Sequence, residues 1–246
     1  MDTSSPRFRA VLFDFFGTLT QAVQRGPAHI EFAQRMGCDP AAYFRVLDKT
    51  FYARASGGFG TPAGTLHRVL RMAGAAPTPE QVAWAVQARI GVARADVRMR
   101  REALPVLGLL RHWGVRTAVV SDCWYELPRF FPRLPIARLV DATVFSVEVG
   151  HCKPHPAMYL TACEQLGVEP AECLFIGDGG SHELSGARCV GMLPVQLDTP
   201  DLAEHLVFHS EVGWKGLRVG SLANIVPLVT ARPAVPRRTL RAWASG

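Results

Sequence analysis

The chain has 246 residues, enough for a large single core or for one domain carrying a smaller inserted one. Apolar residues make up 48% and charged residues 20%, which excludes a disordered class, and no apolar run approaches the roughly 20 residues that span a bilayer. The formal charge of +6 is weak grounds for a nucleic-acid partner, because Arg232, Arg237, Arg238 and Arg241 crowd the C-terminal tail and leave a body of about +2.

Met1 to Arg9 lacks the apolar centre of a signal peptide, and the six cysteines show no C-x-x-C spacing, so reduced thiols and a cytoplasmic location are expected. The first element is the run Val11-Leu12-Phe13, a strand apolar on both faces, as a parallel sheet covered by helices requires. It stops at Asp14, and Gly17 permits a tight turn beside Thr18, whose hydroxyl and neighbouring N–H groups could hold an anion. About eighty residues of helical pattern follow. Helices are predicted over Ala28 to Met36, from Asp39-Pro40 to about Ala55, over Ala63 to Met72, and from the capping box Thr78-Pro79-Glu80-Gln81 to about Ala95. Residues 56–62 read as a loop, whose glycines either reach toward a ligand or form a mobile connection.

From Glu102 the pattern alternates: helix to Trp113, strand Val115 to Val120, a Pro-broken helical stretch, strand Thr143 to Val147, helix Pro156 to Leu166, strand Cys173 to Ile176, helix Leu184 to Cys189 and strand Leu193 to Leu197. Such repeated units predict an α/β fold with a Rossmann-like parallel sheet and an inserted α-helical cap domain. The expected division is residues 1–20 and 98–230 for the core, 21–97 for the cap, and 231–246 for a basic tail outside the core.

Polar groups fall just after the strands: Asp14 and Thr18, Ser121 and Asp122, Lys153, and Asp178 with Glu183. In a parallel sheet these ends share one rim, so the groups can converge without being near in sequence. A carboxylate nucleophile needs its substrate's charge offset, the transferred group held, and usually a metal. Asp14 and Asp178 could share Mg²⁺, a cation that takes hard oxygens, while Lys153 supplies compact positive charge in a chain with only three lysines against 24 arginines.

The order Asp14-x-x-x-Thr18, helical insert, Ser121, Lys153-Pro154, Gly177-Asp178 resembles the haloacid dehalogenase-like hydrolases over about Ala10 to Val229. That resemblance implies Asp14 as nucleophile, Ser121 as a phosphate-binding hydroxyl, Lys153 as the stabilising cation, and Asp178 as a metal ligand. Glu183 would stand where many members carry a second acid for the metal, and the Phe16 carbonyl would complete the set. Phe16 itself departs from the phosphatase pattern, which has an Asp there to protonate the leaving group and activate water; such help is typically worth about 10² to 10⁴-fold.

The departure opens three readings. A phosphatase survives on a good leaving group, such as an acyl or aryl phosphate, or on a proton from His151, His155 or His182, of which His182 lies beside the acids. A dehalogenase of this superfamily carries an aromatic at the Phe16 position and needs no metal, although Asp122 replaces its usual Asn. A non-enzymatic descendant would use the pocket for binding alone. The first is preferred: a Mg²⁺-dependent phosphatase acting on a small anionic metabolite, monomeric or homodimeric, with no nucleic-acid or membrane partner. Cys123 is expected to line the pocket with Asp122 rather than act as a thiol nucleophile. Trp124 and Tyr125 either flank the entrance or pack the following helix. One or two cap arginines could recognise an acidic group.

Overall fold

The structure, a computed structural model, describes residues 6–230; the predicted basic tail lies outside the described residues. Six parallel strands form one sheet in the order β3-β2-β1-β4-β5-β6. They are β1 (Ala10–Phe13), β2 (Arg116–Ser121), β3 (Ala142–Phe145), β4 (Cys173–Gly177), β5 (Leu193–Leu197) and β6 (Leu217–Val219). β1 is completely buried and paired on both sides, Val11 lying opposite Thr117 and Leu174. Its alternate residues feed two clusters. Val11 and Phe13 pack into one with Leu107, Leu110 and Ile225, while Ala10 and Leu12 join Met158, Tyr159 and Leu184 in the other. The result is a Rossmann-like sheet with helices on both faces, as predicted.

Between β1 and β2 come α1 (Pro27–Arg35), α2 (Pro40–Lys49), α3 (Phe51–Ala55), α4 (Pro62–Met72), α5 (Pro79–Ala95) and α6 (Ala103–His112). Of these, α1, α2, α4 and α5 share a third cluster around Phe32, Tyr43, Leu66, Leu70 and Val82. The capping box on α5 forms as its sequence requires, Thr78 Oγ1 accepting from the Gln81 N–H while Gln81 Oε1 accepts from the Thr78 N–H at 2.8 Å. The single helix predicted from Asp39 to Ala55 is two. It breaks at Thr50, whose φ of −106° leaves the helix and whose hydroxyl donates back to the Val46 carbonyl at 2.7 Å.

Both ends of this insert run alongside each other. Thr20 and Met99 form an antiparallel bridge, and the Gln21 N–H donates to the Arg98 carbonyl at 2.8 Å. Arg100, buried, clamps the junction: Nη2 donates to the Gly17 carbonyl at 2.8 Å, Nε to the Thr18 carbonyl at 3.1 Å, and the guanidinium pairs with Asp201 at 3.1 Å.

The remaining helices are α7 (Glu126–Phe130), α8 (Ser146–Val149), α9 (Pro156–Leu166), α10 (Glu183–Cys189) and α11 (Ile225–Thr230). The third predicted strand is corrected at its end: β3 stops at Phe145, and Ser146 turns into α8, its hydroxyl donating to the Ala55 carbonyl and accepting from the Cys123 N–H. No helix among the described residues is long and apolar enough to cross a membrane.

Candidate active site

Asp14 leaves the carboxyl end of β1 with its N–H held by the Ile176 carbonyl of β4 at 2.8 Å. The chain then turns at Gly17, where φ is +79° and a Cβ would meet His205 Nε2 at 2.7 Å and Asp178 Oδ2 at 3.1 Å. A side chain is therefore barred twice, by backbone conformation and by the two groups packed on the turn.

Asp178 follows β4, Glu183 opens α10, and Lys153 comes from the loop between α8 and α9. Lys153 Nζ lies 2.5 Å from both Asp14 Oδ1 and Glu183 Oε2, while its N–H donates to Asp122 Oδ1 at 2.9 Å. Glu183 Oε1 accepts from the Gly179 N–H at 2.9 Å, and its carboxylate fills the space beneath Gly177, where any Cβ would collide with it. Asp178 Oδ1 accepts from the Gly180 N–H at 2.9 Å, and Oδ2 faces His205 Nε2 at 3.4 Å.

Burial pushes the Asp14 carboxyl up to about 6 against the pull of Lys153, and burial likewise raises Glu183. Burial also works against the Lys153 ammonium, but Asp14 and Glu183 outweigh it and keep the cation charged. Asp14, Asp178 and Glu183 each offer an oxygen within 4.8 Å of the others, with one ammonium among three acids. Hard oxygens in excess of positive charge suit a divalent cation such as Mg²⁺. Asp14 keeps Oδ2 free of a side-chain partner and Asp178 Oδ2 has only the long 3.4 Å approach of His205, whereas both Glu183 oxygens already accept hydrogen bonds.

A cavity of about 190 Å³ lies between this rim and the helical insert, walled by Asp14, Phe16, Arg54, Trp124, Asp178 and His205 among others. It is smaller than the roughly 300–1,000 Å³ of drug-sized ligand pockets, which points to a small ligand. The sequence-predicted residues distribute unevenly around it. Asp14, Asp122, Cys123, Lys153, Asp178, Glu183 and Phe16 line it, the Phe16 ring meeting Phe15 edge-on at 4.9 Å. Cys123 is sealed, and burial raises its thiol well above the usual range, so it serves as wall and not nucleophile.

Ser121 and Thr18 are fully buried with hydroxyls that have no protein partner, and neither belongs to the cavity lining. The substrate-binding role expected of the Thr18 hydroxyl is corrected accordingly: Thr18 lies under the turn, where its carbonyl serves Arg100. His182 is also corrected. It adopts φ of +50° and points away from the cavity as an exposed residue, near His209, because the loop from Gly179 is bound to residues 208–211 by the Ser181 N–H to Phe208 and Glu211 N–H to Gly179 bonds. His151 and His155 stack on each other at 3.8 Å, exposed and off the cavity.

Two histidines do wall the cavity, His29 and His205, and no sequence motif marks either; the one beside Asp178 is His205. Its Nδ1 accepts the Val23 N–H at 2.8 Å, which leaves Nε2 to carry the proton facing Asp178. The insert contributes Arg54, Arg89 and Phe51 to the same walls. It is tied to the rim by Phe51 stacked on Phe208 at 4.3 Å and by Tyr52, which bonds Ser181 Oγ at 3.1 Å and stacks on His209.

A family model described as haloacid dehalogenase-like hydrolase matches residues 8–191, and the chain belongs to that family of hydrolases. Among curated relatives, a phosphoglycolate phosphatase of Xylella fastidiosa is 28% identical over 202 residues, covering 75% of this chain and 77% of the relative. A glyceraldehyde 3-phosphate phosphatase of Methanopyrus kandleri is 33% identical over 130 residues, 52% of this chain and little more than half, 56%, of that protein. Among solved structures, the L-2-haloacid dehalogenase of Xanthobacter autotrophicus superposes with a TM-score of 0.63 at 20% identity, covering 91% of this chain and all of the other, a likeness of fold.

Proposed function

We propose that this hydrolase is a Mg²⁺-dependent phosphatase that forms an aspartyl-phosphate on Asp14 and acts on a small anionic substrate. The observation that carries the reading is the convergence of Asp14, Asp178 and Glu183 around the single ammonium of Lys153 at the edge of one cavity. Mg²⁺, held by Asp14 and Asp178 with Glu183 behind them, would offset the charge of the phosphoryl group. The Phe16 carbonyl is the remaining protein ligand in this proposal.

A carboxylate oxygen of Asp14 attacks phosphorus as the ester P–O bond breaks. Lys153 offsets charge on nucleophile and phosphoryl group. Phe16 has no proton to give, so the leaving oxygen takes one from water, and substrates with acidic leaving groups are favoured. Water then adds to phosphorus, the bond to Asp14 breaks, and inorganic phosphate leaves. Residues 21–97 act as the cap that excludes solvent from the first step while 1–20 and 98–230 supply the chemistry.

The relatives named as phosphatases support this reading. Asp14→Asn is expected to lower phosphate release from aryl phosphates by at least about 10³-fold while circular dichroism stays unchanged; retention of more than a tenth of the activity overturns the assignment. One observation favours a second reading: an aromatic ring at Phe16, where an acid is unnecessary if halide leaves. Release of halide from 2-halo acids that persists in EDTA, without EDTA-sensitive phosphate release, would select it.

A further inference from the structure

Among the described residues, four cationic side chains are buried: Arg54, Arg89, Arg100 and Lys153. Three have carboxylate partners, Arg89 with Glu126 at 2.9 Å, Arg100 with Asp201 and Lys153 with Asp14 and Glu183. Arg54 has none within 4.0 Å, although it is only 7% exposed. Its Nε donates to Thr50 Oγ1 at 3.1 Å and its Nη2 to the Leu47 carbonyl at 2.8 Å, and the guanidinium lies 5.2 Å over the Trp124 ring. Nη1 makes no hydrogen bond to the described protein, and the residue walls the same cavity as Asp14. Burial pushes Arg54 down to about 10 against the attraction of Glu126, which lies beyond ion-pair range and is itself paired with Arg89. Across the same wall, Nη1 of Arg89 is also buried without a partner.

A desolvated charge that stays unpaired in the protein calls for its counter-ion from outside. Arg54 is held in place from two sides by neutral acceptors, which fix its direction and leave it without a direct ion pair. We propose that Arg54 is the specificity residue of the site, binding a carboxylate of the substrate remote from the reacting group, so that the substrates are small phosphate esters that also carry a carboxylic acid. A carboxylate matches one cation that lacks an ion-pair partner, and its planar oxygens suit guanidinium N–H donors. A second phosphate would bring more charge than one guanidinium offsets. The apolar wall of Leu47, Phe51, Trp124 and Phe130 would meet the carbon skeleton between the two anionic ends.

The substrate class rests on the phosphatase reading; the anion subsite does not, and the two are separable. The test compares phenyl phosphate with 3-carboxyphenyl phosphate on the wild-type chain, Arg54→Met, Arg54→Lys and, as a surface control, Arg45→Met. The wild type is expected to prefer the carboxylated ester by about 100-fold in kcat/KM. Arg54→Met should reduce that preference to under threefold, chiefly through KM; Arg54→Lys, which keeps charge but loses the anchors to Thr50 and Leu47, should retain about tenfold. No preference in the wild type, or an undiminished one in Arg54→Met, overturns the proposal. Binding of benzoate, followed by Trp fluorescence, is the second readout. Arg54-dependent binding without turnover of either ester would retain the subsite and reject the phosphatase; Arg54-independent binding would reject the subsite. If Arg54→Met does not fold, the Arg54→Lys arm decides, since full wild-type preference there also overturns the assignment.

Discussion

Phe16 and Glu183 show how one residue redirects a shared arrangement. The Phe16 ring fills a position on the cavity wall where a second carboxylate would serve as acid and base. Phe16→Asp is therefore expected to raise phosphate release from esters with poor leaving groups by about 10² to 10⁴-fold, in an Asp14-dependent manner measured by inorganic phosphate release. An unchanged rate would show that proton transfer does not limit turnover. Glu183 is legible as an acid near Asp178 but not as a packing element. The sequence says nothing of Lys153 reaching it or of the glycine above it, because both depend on the crossover that brings α10 under the loop between α8 and α9. His205 was invisible for a related reason: it follows no predicted strand, belongs to no motif, and reaches the site only because the segment after β5 folds back over Gly17.

At the scale of elements, Arg100 holds together three segments that would otherwise leave carbonyls unpaired. Arg100→Met strands the Gly17 and Thr18 carbonyls and deprives Asp201 of its cation, and it is expected to cost about 3 kcal/mol in urea denaturation. Asp201→Asn should cost under about 1 kcal/mol, because that carboxylate is 37% exposed and screened. The two variants also differ in acid. Desolvation raises Asp201, but hydrogen bonds from Arg100 and the Ala22 N–H prevail and hold it at about 2. A folded value below the unfolded one, about 3.9, means that this contribution is present above about pH 4 and lost as pH falls toward 2. Asp201→Asn should remove that part of the acid dependence. The strand ends carrying Asp14, Ser121 and Asp178 were legible because apolar runs of β-branched and aromatic residues stop at polar ones. The break at Thr50 was not, since apolar spacing continues through it and only a side-chain bond to Val46 marks it. β6 escaped as well: three residues at a sheet edge, two of them exposed, leave no alternation to read.

For the whole molecule, three hydrophobic clusters divide the described residues into two faces of a sheet and one helical layer. The layer meets the core through the buried Arg89–Glu126 pair, the Tyr125 hydroxyl on the Val86 carbonyl, and the packing of Trp124 and Tyr125 into the helical cluster, while α3 supplies the aromatic stacks on residues 208–209. An aromatic pair is worth about 0.5–1.5 kcal/mol, so the double variant Phe51→Ala/Tyr52→Phe is expected to loosen closure by about 1–3 kcal/mol. Amide exchange at Ser181, His182 and Glu211 should accelerate while the β1 and β4 amides remain protected. Unaltered exchange at the rim would mean that closure rests on other contacts. The parallel fold was readable from the alternation of elements; how the insert sits on it was not, because residues at 51–52 and 208–209 have no sequence relation that announces their stacking.

The antiparallel bridge between Thr20 and Met99 has a consequence for how such a chain diversifies. Since the polypeptide departs from the rim and re-enters it at adjoining points, everything in between can be exchanged for another module, or trimmed to a hairpin, without stretching a strand. New ligand preferences can then be grafted from outside while the reactive end of β1 is inherited intact.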